Sequence, residues 1–141
     1  MYGWKDNVAT LPPIKTHIHQ VPLTPQQRDW VRDELGELVV TRAGGITKRA
    51  AYGQVAKGFW KGEKFDSLKY EFMADLMRGW RDTESTLVWC LYDEEQARCH
   101  ESLGGESMDG STTMSKRTAM IDRFKSRESR VLISKPKILG F

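Results

Sequence analysis

The sequence predicts an α/β fold in which a small parallel sheet is flanked by helices. Thr86–Tyr92 is a continuous apolar run of strand length, Glu106–Asp109 is a short candidate strand, and Val131–Ile133 is a third buried segment. Helical segments over Asp93–Leu103 and Ser115–Phe124 separate these strands. Parallel strands need a crossover connection, and a run buried on both faces is typical of a parallel sheet.

The first half of the chain predicts a strand followed by a helix. Residues 14–23 alternate loosely and include β-branched residues, and Pro22 makes this an edge strand because proline cannot donate to a ladder. Thr24–Gln27 is a helix start, with threonine as N-cap, proline at the first helical position and glutamine at the capping-box position. The apolar stripe that follows predicts a helix to about Val40.

The middle of the chain predicts two further helices around a turn. Residues 46–55 are compatible with a helix of small residues, and Gly58–Gly62 reads as a turn. Lys64–Arg78 is the clearest amphipathic pattern, and Gly79 is a plausible stop.

Composition indicates an ordinary globular domain. Hydrophobic residues make up 39% of the chain and charged residues 29%. No apolar run approaches the roughly 20 residues of a membrane helix, and the N-terminus has no apolar signal core. Two cysteines cannot form a disulfide framework. We therefore expect a cytoplasmic protein with no membrane partner.

Charge permits a nucleic-acid partner without requiring one. The formal net charge is +3, and cations are concentrated between Lys116 and Lys137. A solvated helix face and loop would explain the same pattern.

A set of short motifs in the second half carries a family resemblance. Asp109–Thr112 is followed by Arg117 at the start of a helix and by Phe124 at its end, and Leu132–Lys135 then leads to Leu139–Phe141. In order and spacing these segments resemble the C-terminal RecA-like lobe of superfamily 2 DEAD/DEAH helicases. They are most similar to the Swi/Snf-type branch and its phage and prophage members.

The resemblance implies a domain organisation and a function. Residues 1–63 resemble an inter-lobe linker segment with an edge strand and helices, and residues 64–141 resemble an incomplete C-terminal helicase domain of partial RecA-like, P-loop NTPase-type fold. The chain is then expected to be part of an ATP-dependent DNA helicase or translocase. The expected partners are DNA, with RNA as an open alternative, and an N-terminal motor lobe that this chain lacks.

The candidate site residues come from the same resemblance. Ser134, Lys135, Ser111 and Thr112 are expected to contact the nucleic-acid backbone, and Gly140 the nucleotide. Hydroxyls, main-chain N–H groups and lysines suit phosphate oxygens, which fix register without reading sequence. An ordinary solvated loop at Ser134 and Lys135 is the alternative, and Arg117 has the alternative role of pairing with Asp109 or capping a helix.

The sequence lacks the parts that ATP hydrolysis needs. No Gly-x-x-x-x-Gly-Lys-Ser/Thr loop occurs, and none of the Asp-Glu pairs is assigned as a box for magnesium. We therefore expect no catalytic residue here, and ATP and Mg²⁺ only in the complete protein. The alternative function is a non-catalytic nucleic-acid or protein interaction module built on a partial RecA-like fold.

Other chemistry-bearing residues favour structural roles. Cys90, Cys99 and His100 match no zinc spacing, which predicts a buried strand cysteine and a surface pair on the helix. Glu94–Glu95 is expected to be helix surface charge. We expect Val131–Ser134 to lie at or near a sheet edge, which would make the isolated chain poorly soluble or prone to oligomerise.

Overall fold

A computed structural model describes residues 11–33 and 42–139 of the chain, with side chains from residue 48 onward in the second range. In chain order, the elements are α1 (Pro25–Asp33), α2 (Arg42–Ala56), β1 (Phe59–Trp60), β2 (Glu63–Lys64), α3 (Leu68–Arg78), β3 (Thr86–Trp89), α4 (Asp93–Leu103), β4 (Glu106–Met108), α5 (Met114–Lys125), β5 (Val131–Ser134) and α6 (Pro136–Leu139).

The predicted parallel sheet with flanking helices is confirmed. Its strand order is β3-β5-β4, and β5 pairs in parallel with both neighbours. All four residues of β5 are buried. The prediction that this strand lies at or near an edge is therefore wrong. The reason is topological, because β3 and β4 take the two outer positions and leave β5 between them.

The main core lies between the sheet and the helices α3 and α4. Val131 and Ile133 point into this core from β5, whereas Leu132 alternates to the opposite side of the sheet, where α5 contacts β4 and β5. The buried side chains of the cluster are Tyr70, Met77, Val88, Cys90, Cys99, Leu103, Val131 and Ile133. The sheet is thus a middle layer between helices.

Strand β3 is more exposed than its apolar sequence predicts. Leu87 is 37% exposed and Trp89 45%, while Val88 between them is buried. The expectation of burial on both faces is wrong for β3, because α5 contacts β4 and β5 and leaves the outer face of this edge strand open. Trp89 accordingly lies at the surface and not in the core.

The predicted edge strand over residues 14–23 does not form. Residues 12–24 have no regular secondary structure, and Ile14 and Ile18 are 94% and 86% exposed. The segment instead rests on α3, where the His19 and Phe72 rings are 5.5 Å apart. The alternation of side chains in residues 14–23 was not enough to form a strand, because a strand also needs a partner. Among the described residues, no strand pairs with this segment.

The predicted start of α1 is confirmed in detail. The Thr24 N–H donates to Gln27 Oε1 at 2.7 Å, and the Gln27 N–H donates to Thr24 Oγ1 at 3.2 Å. The Gln27 amide also donates to the Val55 carbonyl at 2.8 Å and to the Ala56 carbonyl at 3.2 Å. Gln27 therefore supplies hydrogen-bond partners both to the start of α1 and to the end of α2. Residues 34–40, where we expected this helix to continue, lie outside the described residues.

The segment between α2 and α3 differs from the prediction in its boundaries. The predicted turn at Gly58–Gly62 belongs to a hairpin of β1 and β2, with positive φ at Lys61 and Gly62. The α3 helix begins at Leu68 and not at Lys64, because Ser67 is its N-cap and its side chain accepts from the Lys69 N–H.

Two other predicted boundaries can also be compared with the structure. Helix α2 begins at Arg42, so Gly44–Gly45 lies inside it and not in a break before it. The expected boundary between residues 63 and 64 falls within β2, and the division into two segments remains a prediction.

Replacing Gln27 should destabilise the packing of α1 on α2. In Gln27→Ala the Val55 carbonyl loses a buried donor and the capping box is broken, which should cost about 2 to 4 kcal/mol. Urea unfolding measures this loss. Gln26→Ala, at an exposed position of the same helix, is the matched control and should change stability by less than about 0.5 kcal/mol. Equal effects of the two substitutions would contradict the bridging role.

Candidate nucleic-acid interface

The three strands of the parallel sheet end level with one another. Trp89 and Met108 both stand opposite Ser134 in the sheet register. The segments that follow the strands therefore leave the same edge, which is where open α/β sheets bind ligands. The structure brings four predicted site residues together at this edge, with Ser111–Thr112 after β4 and Ser134 and Lys135 at the end of β5.

The segment after β4 is a tight turn organised by Asp109. Its Oδ1 atom accepts from the Ser111 N–H at 2.8 Å, the Ser111 hydroxyl at 2.6 Å and the Thr112 N–H at 3.1 Å. These hydrogen bonds, the one from the Ser111 hydroxyl first, hold the pKa of Asp109 below its ordinary value. Ser111 and Thr112 are thus fixed in position by a carboxylate, as in other Asx turns.

Arg117 holds this turn against the start of α5. Its Nε donates to the Thr112 carbonyl at 2.8 Å, and its Nη2 donates to the Asp109 carbonyl at 3.2 Å. The structural role that the sequence left open for Arg117 is therefore present, although it binds main-chain oxygens and not the Asp109 carboxylate. Thr113 caps α5 by accepting from the Lys116 N–H at 3.4 Å.

Ser134 is buried and its hydroxyl has an internal partner. The side chain is 0% exposed, and Oγ donates to the Met108 carbonyl at 3.0 Å. In this conformation the hydroxyl joins β5 to β4 and does not reach the surface. Its expected contact with nucleic acid remains a prediction, and the more accessible groups at this edge are better placed to make one.

Lys135 crosses the sheet edge towards the start of α4. Its ammonium pairs with the carboxylate of Asp93, and the Lys135 and Asp93 side chains are 20% and 90% exposed. On the other side of the edge, Ile138 Cδ1 lies 3.9 Å from where a Cβ on Gly110 would stand. The segment after β5 therefore pairs with the segment after β3 and lies near the segment after β4.

A polar cleft of about 310 Å³ opens between α4 and the end of β4, and Asp93, Gln96, His100 and Asp109 are among its lining residues. Gln96 Nε2 donates to the Met108 carbonyl and to Ser107 Oγ, each at 2.9 Å. The two carboxylates give this cleft a negative character, so a polyanion would favour the lysine side of the edge.

A second cleft, of about 560 Å³, lies between α3 and α4, away from the strand ends. Its two cations, Lys64 and Arg98, are both paired with Glu94, at 2.7 and 3.0 Å. Three other acids line it, namely Asp66, Glu71 and Glu101. An excess of carboxylates does not suit phosphate, and so this cleft is not the candidate interface.

Sequence reasoning missed a largely buried ion pair beside the β3–α4 segment. Lys57 Nζ lies 3.0 Å from Glu95 Oε2, with both side chains less than 15% exposed. The same oxygen accepts from the Leu91 N–H at 2.8 Å, and Lys57 lies over the Tyr92 ring at 4.9 Å. The expectation that Glu95 is surface charge is wrong, because its partner comes from a segment 38 residues away. No local signal in the sequence could have revealed this pair.

The remaining predictions about chemistry-bearing residues have mixed outcomes. Gly140, the expected nucleotide contact, lies outside the described residues. Cys90 is buried as predicted, but Cys99 is also buried, at 2% exposure, and the prediction that it lies on the surface is wrong. No cluster of three His, Cys, Asp or Glu side chains suited to a metal occurs within residues 11–33 and 42–139.

Comparisons with known proteins identify no relative. No protein-family model matches the chain, and no curated protein is significantly similar to it. In the part of the chain that the structure describes, no helix has both the length and the apolar character needed to cross a membrane.

Removing the Ser111 hydroxyl should raise the pKa of Asp109 towards its ordinary value of about 4. The hydroxyl donates to the charged carboxylate and stabilises that form. Carboxyl NMR titration of Ser111→Ala and wild type measures the change. The pKa of Asp109 is lower in the folded state than in the unfolded chain. The ionised carboxylate therefore stabilises the fold above about pH 4, and this stabilisation is lost as the pH falls through the folded-state pKa. Ser115→Ala, at an exposed position, is the control, and an unchanged Asp109 pKa in Ser111→Ala would contradict the assignment.

Proposed function

We propose that the chain is part of an ATP-dependent DNA helicase or translocase and contributes backbone contacts at the carboxyl edge of its sheet. The order of Asp109–Thr112, Arg117, Phe124 and Leu132–Lys135 along the chain supports this proposal. A parallel sheet flanked by helices is also compatible with a partial RecA-like lobe. In such a motor the chain would additionally form one wall of the ATP cleft.

The observation that carries the proposal is the common edge at which the segments after β3, β4 and β5 begin. The strand ends are level, Gly110 lies near Ile138, and Lys135 pairs with Asp93. Lysines and main-chain N–H groups at such an edge bind phosphate oxygens regardless of sequence, which is what a motor moving along a polymer needs.

The Lys135–Asp93 ion pair determines how strongly this edge of the sheet attracts an anion. Asp93 is largely exposed and occupies the positive end of α4. A phosphate that binds Lys135 would have to displace this carboxylate or accept its repulsion. Asp93 therefore opposes the binding of a polyanion, and its removal should have the opposite effect to removal of Lys135.

The described residues do not fit ATP or Mg²⁺ by themselves. They contain no cluster of three side chains suited to a metal, and the sequence has no Gly-x-x-x-x-Gly-Lys-Ser/Thr loop to hold the phosphates of ATP. We expect the groups that hold both to lie outside the described residues. We therefore assign no step of hydrolysis to residues of this chain.

The alternative function, a non-catalytic interaction module, is favoured by one different observation. Leu87 and Trp89 expose apolar surface on the outer face of β3, and Leu91 beyond them is 68% exposed. An exposed apolar strand is typical of a protein contact. A nucleic-acid contact weakens steeply with salt, whereas an apolar contact does not, and this difference separates the two functions.

Binding of DNA should respond in opposite directions to the two members of the Lys135–Asp93 pair. We expect Lys135→Ala to weaken binding of a fluorescent single-stranded oligonucleotide several-fold and to reduce the salt slope by about 0.7. We expect Asp93→Asn to strengthen binding. Anisotropy titrations at a series of salt concentrations measure both effects, with duplex DNA and single-stranded RNA as parallel probes.

Two substitutions elsewhere match these changes in charge. Lys125→Ala removes a cation at the far end of α5, and Asp75→Asn removes a carboxylate that pairs with Arg78 on α3. Both should have little effect. If Lys125→Ala weakened binding as much as Lys135→Ala, binding would depend on overall charge and the proposed interface would be wrong.

The purified chain should not hydrolyse ATP, with or without DNA. Phosphoryl transfer needs phosphate cradling, a metal and charge neutralisation together, and the sequence contains no Gly-x-x-x-x-Gly-Lys-Ser/Thr phosphate loop. A coupled phosphate-release assay measures the rate, and a preparation of Lys135→Ala reveals contaminating activity. DNA-stimulated release that copurifies with the wild-type chain would overturn this expectation.

A further inference from the structure

Cys90 and Cys99 occupy the same level of one strand–helix unit. Cys90 lies three residues before Asp93, which is about 10 Å along an extended chain, and Cys99 lies six residues after it, which is about 9 Å along a helix. Because α4 packs back onto β5 and β4, these two distances place the side chains at a similar level along the sheet. They are 1% and 2% exposed and belong to the same core cluster.

Both thiols lie in this cluster, and each shifts the pKa of the other. The pKa of Cys90 is lowered and the pKa of Cys99 is raised, because one thiol can donate a proton to the other. Lys57 and Lys135 also favour the thiolate of Cys90, and Glu95 opposes it. The Cys90 main chain is fixed, since its N–H donates to the Ser134 carbonyl at 2.9 Å.

We propose that Cys90 and Cys99 form a dithiol site that oxidises reversibly to an intrachain disulfide. The two S–H bonds are lost and one S–S bond forms. Two electrons and two protons pass to a small oxidant of the disulfide or diazene class, which is reduced to two thiols or to a hydrazine. Reduction by an external dithiol returns both thiols. This site is independent of the proposed contact with nucleic acid.

The disulfide would constrain the junction between β3 and α4. It would tie the end of β3 to the second turn of α4 across Leu91–Tyr92 and Asp93. The Glu95 carboxylate already holds the Leu91 N–H in this segment, so the bond would reinforce an existing arrangement. A short loop closed without distortion should raise the thermal midpoint of the oxidised protein above that of the reduced protein.

The test is oxidation of the full folded chain with diamide, followed by quenching and intact-mass analysis without reductant. We expect the mass to fall by that of two hydrogen atoms and free thiols to fall from two to none per chain. Arg98 lies between the cysteines, so trypsin separates them, and a reductant-sensitive pair of cross-linked peptides should appear. Neither change should occur in Cys90→Ala or Cys99→Ala, whose folding is checked by circular dichroism.

Three outcomes would overturn the proposal. The first is intermolecular dimers in place of the intrachain product. The second is separate oxidant adducts on the two cysteines. The third is retention of both thiols in the folded chain under conditions that oxidise the urea-unfolded chain. An oxidised protein that melts below the reduced one would contradict the inferred geometry even if the cross-link formed.

Discussion

The central position of β5 is the constraint on which the rest of the described structure depends. A four-residue strand with parallel neighbours on both sides must be apolar on both faces, and every residue of Val131–Ser134 is buried. Because β5 is parallel to β3 and β4, each crossover must return the chain to the same end of the sheet. The register with Trp89 and Met108 then brings three connecting segments to one edge.

The polar groups at that edge divide into those that build it and those that remain available. Ser134, Arg117 and the Asp109 carboxylate are satisfied by partners within the chain, and they hold the turn after β4 against the end of β5. Lys135 is different because its partner Asp93 is an exposed carboxylate. An exposed ion pair contributes little to stability and can be exchanged for another anion at small cost. The proposed contact with nucleic acid would therefore depend on this pair more than on the buried serine.

Features of the fold and of the candidate site could be predicted from the sequence where they depend on residues that are neighbours in the chain. The capping box at Thr24–Gln27 and the parallel strands were predicted correctly, because helix starts and strand–helix alternation depend on residues that are close together in the sequence. The strand at residues 14–23, the exposure of Trp89 and the buried Lys57–Glu95 pair were mispredicted or missed, because each depends on a distant segment being present or absent. Ser134 shows the same limit, since its expected role was assigned by residue type and its burial is set by β4.

The β3–α4 junction concentrates interactions that no single motif in the sequence indicated. Within Cys90–Glu95, the main chain is held by the Ser134 carbonyl and by the Glu95 carboxylate, and Asp93 reaches across to Lys135. The thiol pair lies directly beneath. A change of charge at Asp93 alters the potential at Lys135, and Lys135 in turn favours the thiolate of Cys90. The ion pair and the thiol pair at this junction are therefore electrostatically linked, although Cys99 comes from the middle of α4 and Lys135 from the segment after β5.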